Sequence, residues 1–232
     1  MPRLPLRRAL ALFLGAFALF ALTAQRGLGW GDSGEFQYRI LTLGAEGILS
    51  GCDSFATAHP LYVAVCKIFC STPFHVTLVS AFFGALAVAL FYLLSRNLPL
   101  AALFALAHGL WWLSTVSEVY TMSLCFFAAE LLALRRFEEK GSVGALLALA
   151  ALNGLHLEIH NFALLALPVY AWVVFRRSRP CVLLAAVVVW ILAASFWLWC
   201  LVTLGPANVL WGRYGAQVLS LKPILPAAVL LN

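Results

Sequence analysis

The sequence predicts an all-α, polytopic membrane bundle, and three observations carry that reading. Of 232 residues, 64% are hydrophobic. Only 10% are charged, against about 25% in soluble domains. Apolar runs separated by short polar breaks recur along the whole chain, and a mean hydropathy of +0.97 leaves too little polar surface to cover a soluble globule. The formal charge of +6 does not point to nucleic acid, because the basic residues sit in clusters between apolar runs, as in cytoplasmic loops of membrane proteins.

Taken in order, the opening "MPRLPLRRALALFLGAFALFALTAQ" has a basic flank and an apolar stretch. It reads as an uncleaved first helix because further spans follow, with a signal peptide as the other reading. Apolar runs then predict about seven or eight spans, near 9–24, 74–95, 98–114, 119–134, 143–158, 162–175 and 181–204, with a partial run from about 216. Several are shorter than the roughly 17–25 residues a span needs, so neighbouring polar residues must dip toward the hydrocarbon. The segment 59–71, with Lys67 inside it, is read as a half-embedded helix on the outer surface. With that assignment Arg7, Arg8, Arg96, Arg135, Arg136, Lys140, Arg176, Arg177 and Arg179 all fall on the cytoplasmic side. Asp32, Glu35, Glu46, Asp53, Glu118 and Glu158 then face outward. Residues 1–232 form one module, in which 25–73 is the first external loop.

Trp30, Trp111, Trp112, Trp197, Trp199 and Trp211 fall near predicted outer boundaries, as an interfacial belt requires. The six cysteines contain no CxxC pair and read mainly as buried thiols, with a bridge from Cys52 to Cys66 or Cys70 left open. No internal repeat or low-complexity linker is visible. The chain ends inside an apolar stretch, "LKPILPAAVLLN", so truncation is one expectation.

Ionisable groups at membrane depth cost about 2.5–3.5 kcal/mol on insertion scales and so default to functional hypotheses. Four places stand out. In "GDSGEF", Asp32 or Ser33 is placed to cap a helix, and Asp32 with Glu35 suits a general base at the membrane surface. In "ATAHPLY", His59 at a helix start suits an anion. In "WWLSTVSEVYTM", Glu118 and Tyr120 interrupt two apolar runs. In "LNGLHLEIHNF", His156 and His160 are four residues apart and share a face if the helix continues. That pair lacks HExxH order and an evident third ligand, so contact with phosphate or sugar is preferred to a metal site.

These motifs, with "NGLHLEIHN…LALPVY" following, resemble in order those of the membrane protein O-mannosyltransferases that modify plexin-type receptor domains, and of their bacterial homologues. The resemblance covers residues 1 to about 175. It implies a GT-C-like fold with its active site in the first external loop. It also implies inverting transfer of a sugar, for instance mannose, from a polyprenyl-phosphate donor to a hydroxyl of a protein, lipid or glycan. Asp32 and Glu35 match the family's acidic pair, His59 and Pro60 its "HPPG" segment, Glu118 and Tyr120 its "EVY", and His160 its "GLxxxNHH" histidine. The second proline and the glycine after His59 are missing.

The expected roles are Asp32 as base, Glu35 and Glu118 as its supports, and His59, Tyr120, His156, His160 and Asn161 as contacts to the donor phosphate or substrate. The leaving group is already a phosphate, so no metal or other cofactor is expected. The membrane lipid is a further partner and nucleic acid is not. A bacterial inner membrane is favoured over the endoplasmic reticulum. The alternatives are a transporter or flippase of a lipid-linked saccharide, whose ionisable groups would sit nearer the midplane, and a non-catalytic scaffold of the same fold.

Overall fold

The computed structural model describes residues 3–48 and 58–210. Trp211, Cys52, Asp53, part of the external loop and the partial run from 216 lie outside the described residues. Those residues form helices α1 (Arg3–Thr23), α2 (Asp32–Thr42), α3 (Pro60–Phe69), α4 (Pro73–Ser95), α5 (Leu98–Ala105) and α6 (His108–Thr115). They continue with α7 (Tyr120–Lys140), α8 (Val143–Leu157), α9 (Ala163–Arg177), α10 (Pro180–Ala193), α11 (Ser195–Leu204) and α12 (Pro206–Leu210). A short 3₁₀ turn, Ala45–Ile48, follows α2.

The helix positions follow the apolar runs, but the expected count of spans is not reproduced. Among the described residues two helices, α1 from Leu4 and α4, are long and apolar enough to cross a membrane, and up to four spans result if each bent pair counts as one. The expected 98–114 and 181–204 spans are each broken, α5–α6 by 53° and α10–α11 by 67°. The expected 119–134 span lies within α7, which carries Glu130 and, beyond 134, Arg135 and Arg136, and which does not meet the same measure of length and apolarity. At 15 residues each, α8 and α9 extend only about 22 Å, short of the roughly 30 Å hydrocarbon core.

Helix α4 is the centre of the first half, packed on α1, α6 and α7; α8 then joins α7 to α10. Small residues allow these close crossings. A Cβ at Gly84 would collide with Ser114, and one at Gly154 would lie 2.7 Å from Ala193 Cβ. The chain direction puts the starts of α4, α7 and α9 at one end with the ends of α1, α6 and α8. The basic clusters gather at the other: Arg96 after α4, Lys140 closing α7, and Arg176 and Arg177 closing α9.

Helix α3 has ten residues, about 15 Å, and lies against α2 and the 3₁₀ turn. Its Lys67 does not face hydrocarbon. The ammonium donates to the carbonyls of Arg39, Ile40 and Leu43 at 2.8, 3.3 and 2.5 Å, closing the C-terminus of α2 where a cation is favoured. Of the tryptophans assigned to the belt, Trp30 is 94% exposed, but Trp197 is buried with its indole N–H on Asn161 Oδ1 at 2.9 Å. That tryptophan serves packing, not anchoring. Cys66 and Cys70 are free thiols.

Candidate functional site

The acidic stretch begins with Gly31, whose φ of 58° is open to glycine at little cost. Contrary to expectation, neither Asp32 nor Ser33 caps the helix. Gly31 is the N-cap and no side chain bonds there, because Asp32 and Ser33 are already inside the first turn. Gly34 is required by space, since a Cβ there would lie 2.6 Å from the Gly29 carbonyl oxygen. Ser33, freed from capping, is buried and donates to Glu118 Oε1 at 3.0 Å. A bond across 85 residues thus joins "GDSGEF" to "EVY".

Glu118 is held from both sides. Its backbone N–H donates to Ser80 Oγ at 3.0 Å, and that hydroxyl donates to the Glu118 carbonyl at 2.9 Å. Burial pushes its carboxyl above the ordinary carboxylate range; the Ser33 bond pulls it back, and the charge of Asp32 raises it again. Asp32 therefore lies within electrostatic reach of Glu118. Glu35 is oriented otherwise, with its carboxylate 3.7 Å from the buried Arg39 guanidinium.

His59 and His160 meet as well. His59 is the N-cap of α3, with φ 48°, an unusual conformation for a side chain of its size. Two bonds to the α8–α9 connection hold it. His59 Nδ1 donates to the Ile159 carbonyl at 2.7 Å, and the Leu61 N–H donates to the Glu158 carbonyl at 3.0 Å. The two imidazoles stack with centroids 5.2 Å apart, Tyr120 lies 5.6 Å from the His160 ring, and Phe36 lies 5.6 Å from the His59 ring.

Phe162 N–H donates to His160 Nδ1 at 3.1 Å, which leaves Nε2–H as that ring's outward donor. Burial, the larger cause in both rings, pushes each imidazole down to about 4, so both are neutral at pH 7. They can donate or accept hydrogen bonds to a phosphate or sugar there, but they bring no positive charge. The N-terminus of α3 is partly spent too: Pro60 has no N–H, and the Leu61 N–H is taken by the Glu158 carbonyl.

The remaining expected residues lie elsewhere. His156 and His160 do not share a helix face, because α8 ends at Leu157 and the chain turns over 158–162. His156 is buried between α7 and α8 with both ring nitrogens engaged, Nε2 with Ser123 Oγ at 2.6 Å and Nδ1 with Glu130 Oε1 at 2.8 Å. Tyr170 donates to the other Glu130 oxygen at 2.9 Å. Asn161 ties its turn to the last helices, donating to the Val209 carbonyl at 2.7 Å and accepting from Trp197.

Sequence reasoning missed the residues that hold the site in place. Gln37 is fully buried. It accepts from the Gly29 N–H at 2.7 Å and donates to Ser117 Oγ at 2.9 Å, and Ser117 in turn bonds Thr77 at 3.0 Å. Arg39, 1% exposed, donates to the carbonyls of Gly47, Ile48 and Ala58 at 3.1, 2.9 and 2.7 Å. The available signal was their place on α2: Ser33, Phe36, Gln37 and Ile40 recur at helical spacing and mark a buried face.

The family model described as Protein O-mannosyl-transferase TMEM260 N-terminal domain matches residues 97–183. A curated relative, Protein O-mannosyl-transferase TMEM260 of Mus musculus, is 28% identical over 193 residues, covering 75% of this chain and 26% of the relative. Both findings support an O-mannosyltransferase family. The chain spans about a quarter of the length of that O-mannosyltransferase. The family match includes Glu118, Tyr120, His156, His160 and Asn161, whereas Asp32, Glu35 and His59 lie before it. No solved structure matches.

Proposed function

We propose that the chain is the membrane module of a glycosyltransferase, GT-C-like in fold, that moves a sugar from a polyprenyl-phosphate donor to a hydroxyl acceptor on the non-cytoplasmic side. The observation that carries this reading is the bond of Ser33, next to Asp32, to Glu118, together with the hold of His59 on Ile159 and its stacking on His160, all contacts between distant segments. The names of the matching relatives support the glycosyltransferase part of this reading.

In this reaction the acceptor oxygen attacks the anomeric carbon as the bond from that carbon to the phosphate oxygen breaks. A single displacement inverts the configuration and releases polyprenyl phosphate. The acceptor proton passes to Asp32, the exposed carboxylate of the pair, while Glu118 holds the position beside it. General-base assistance of this kind contributes about 10²–10⁴-fold. The neutral His59 and His160 act as hydrogen-bond partners of the donor phosphate, Tyr120 borders the sugar, and the polyprenyl tail lies against the spans.

Asp32→Asn tests the assignment: transfer from a polyprenyl-phosphate mannose donor, measured in membranes, should fall by about 10²–10⁴-fold while the protein still folds. Unchanged turnover removes Asp32 from the role. One observation favours a second reading, transport of a lipid-linked saccharide: Glu130 and His156 form an ionisable pair in the packed interior, where transporters keep such groups. Donor flux across sealed vesicles without sugar transfer would select transport.

A further inference from the structure

At the end of the bundle away from Asp32, a basic pocket adjoins an apolar groove. The pocket, of about 280 Å³, is lined by Leu93, Arg96, Arg135, Arg136, Glu139 and Lys140 among others. Four cations face one carboxylate there. The groove, of about 780 Å³, runs between α1 and α4 and is lined by Leu6, Leu10, Leu86, Leu90 and Leu93, with Arg7 at its edge. Leu93 belongs to both walls, so the two are neighbours across that side chain.

Arg135 is tied down, by Glu139 at 2.7 Å and by the Leu94 carbonyl at 3.0 Å. The charge available to a ligand comes from Arg96, Arg136 and Lys140, all exposed. Arg96 and Lys140 act on the same carboxylate: after the Arg135 bond, the largest cause, both help to hold the Glu139 carboxyl below its usual range. The left-handed turn at Arg96, φ 55°, ends α4 at the pocket.

We propose that this pocket and groove bind one anionic phospholipid, its phosphate among Arg96, Arg136 and Lys140 and an acyl chain along the α4 stripe Leu86–Leu90–Leu93. An apolar groove beside a cationic cup at a helix end is the complement of that amphiphile. Zwitterionic lipids carry their own cation into the cup and are disfavoured. The site is separated from Asp32 and Glu118 by the 21 residues of α7, about 30 Å, so it is independent of the proposed transfer chemistry.

The test is native mass spectrometry of the purified full chain, offered phosphatidylglycerol or phosphatidylcholine with identical acyl chains. Phosphatidylglycerol should be retained at least tenfold better. That preference should vanish in Arg96→Ala/Arg136→Ala/Lys140→Ala and in Leu90→Trp, which fills the groove without changing charge. It should survive in Arg176→Ala/Arg177→Ala/Arg179→Ala, which removes equal charge outside the pocket. Equal retention of the two lipids by the unaltered chain overturns the proposal. So does equal loss in the control triple variant, which would mean diffuse surface attraction, or displacement by millimolar inorganic phosphate, which would mean a site for a free anion.

Discussion

The two ends of the bundle spend polar residues differently. At the Asp32 end, buried or half-buried polar side chains are joined to distant segments: Ser33 to Glu118, His59 to Ile159, Gln37 to Ser117. At the Arg96 end, the cations are exposed and so are the carboxylates they meet, Glu139 for Arg135 and Glu138 for Arg177. A polar group taken out of water must be matched within the fold, whereas one left at the surface need not be. The first end has therefore bound the chain together, and the second has left its charges available.

The sharpest way to break that contrast is Arg39→Ala. It removes the donor from three carbonyl oxygens, two of them bonded in the interior, and should cost at least about 3 kcal/mol, read as an early thermal transition in detergent.

Acid comes next. The folded pKa values of His59 and His160 lie below the ordinary 6.5, so the unfolded chain takes up protons first as pH falls. Stability present above pH 6.5 should be lost between about 6.5 and about 4. Neighbouring His160 and Arg39 add to the resistance of His59 to protonation. A His59→Phe/His160→Phe variant should show a flatter dependence of melting temperature on pH across that window.

Ser33→Ala removes one charge-assisted bond and should cost about 1–2 kcal/mol. Because that bond lowers the Glu118 carboxyl, its loss should move any pH-rate limb set by Glu118 upward. The smallest effect belongs to the other end: Arg177→Ala breaks an exposed contact to Glu138 and should leave the melting temperature unchanged. A large loss there would undo the contrast.

Much of this was legible in the chain. Apolar runs located the long helices, and Lys67 within a short run pointed to a helix that does not cross. The acidic, "EVY" and second-histidine motifs do meet around one end. Span number was not legible, since hydropathy does not see the bends between α5 and α6 or between α10 and α11. His156 was misplaced because the four-residue rule presumes an unbroken helix, and α8 stops one residue after it. Gln37 and Arg39 escaped notice because their partners are largely backbone groups, which carry no side-chain signature, and because a buried arginine is rare.

The clasp on His59 bears on how the protein is made. Its partners Glu158 and Ile159 follow about a hundred residues later in the chain. A ribosome that has delivered α1 to α7 has made the acidic turn and its serine contact, yet nothing that can hold the imidazole. Both closures span a long separation, and it is the order of synthesis that lets the carboxylate side close first. Until Glu158 and Ile159 follow, the nascent chain holds a half-built site at the membrane surface.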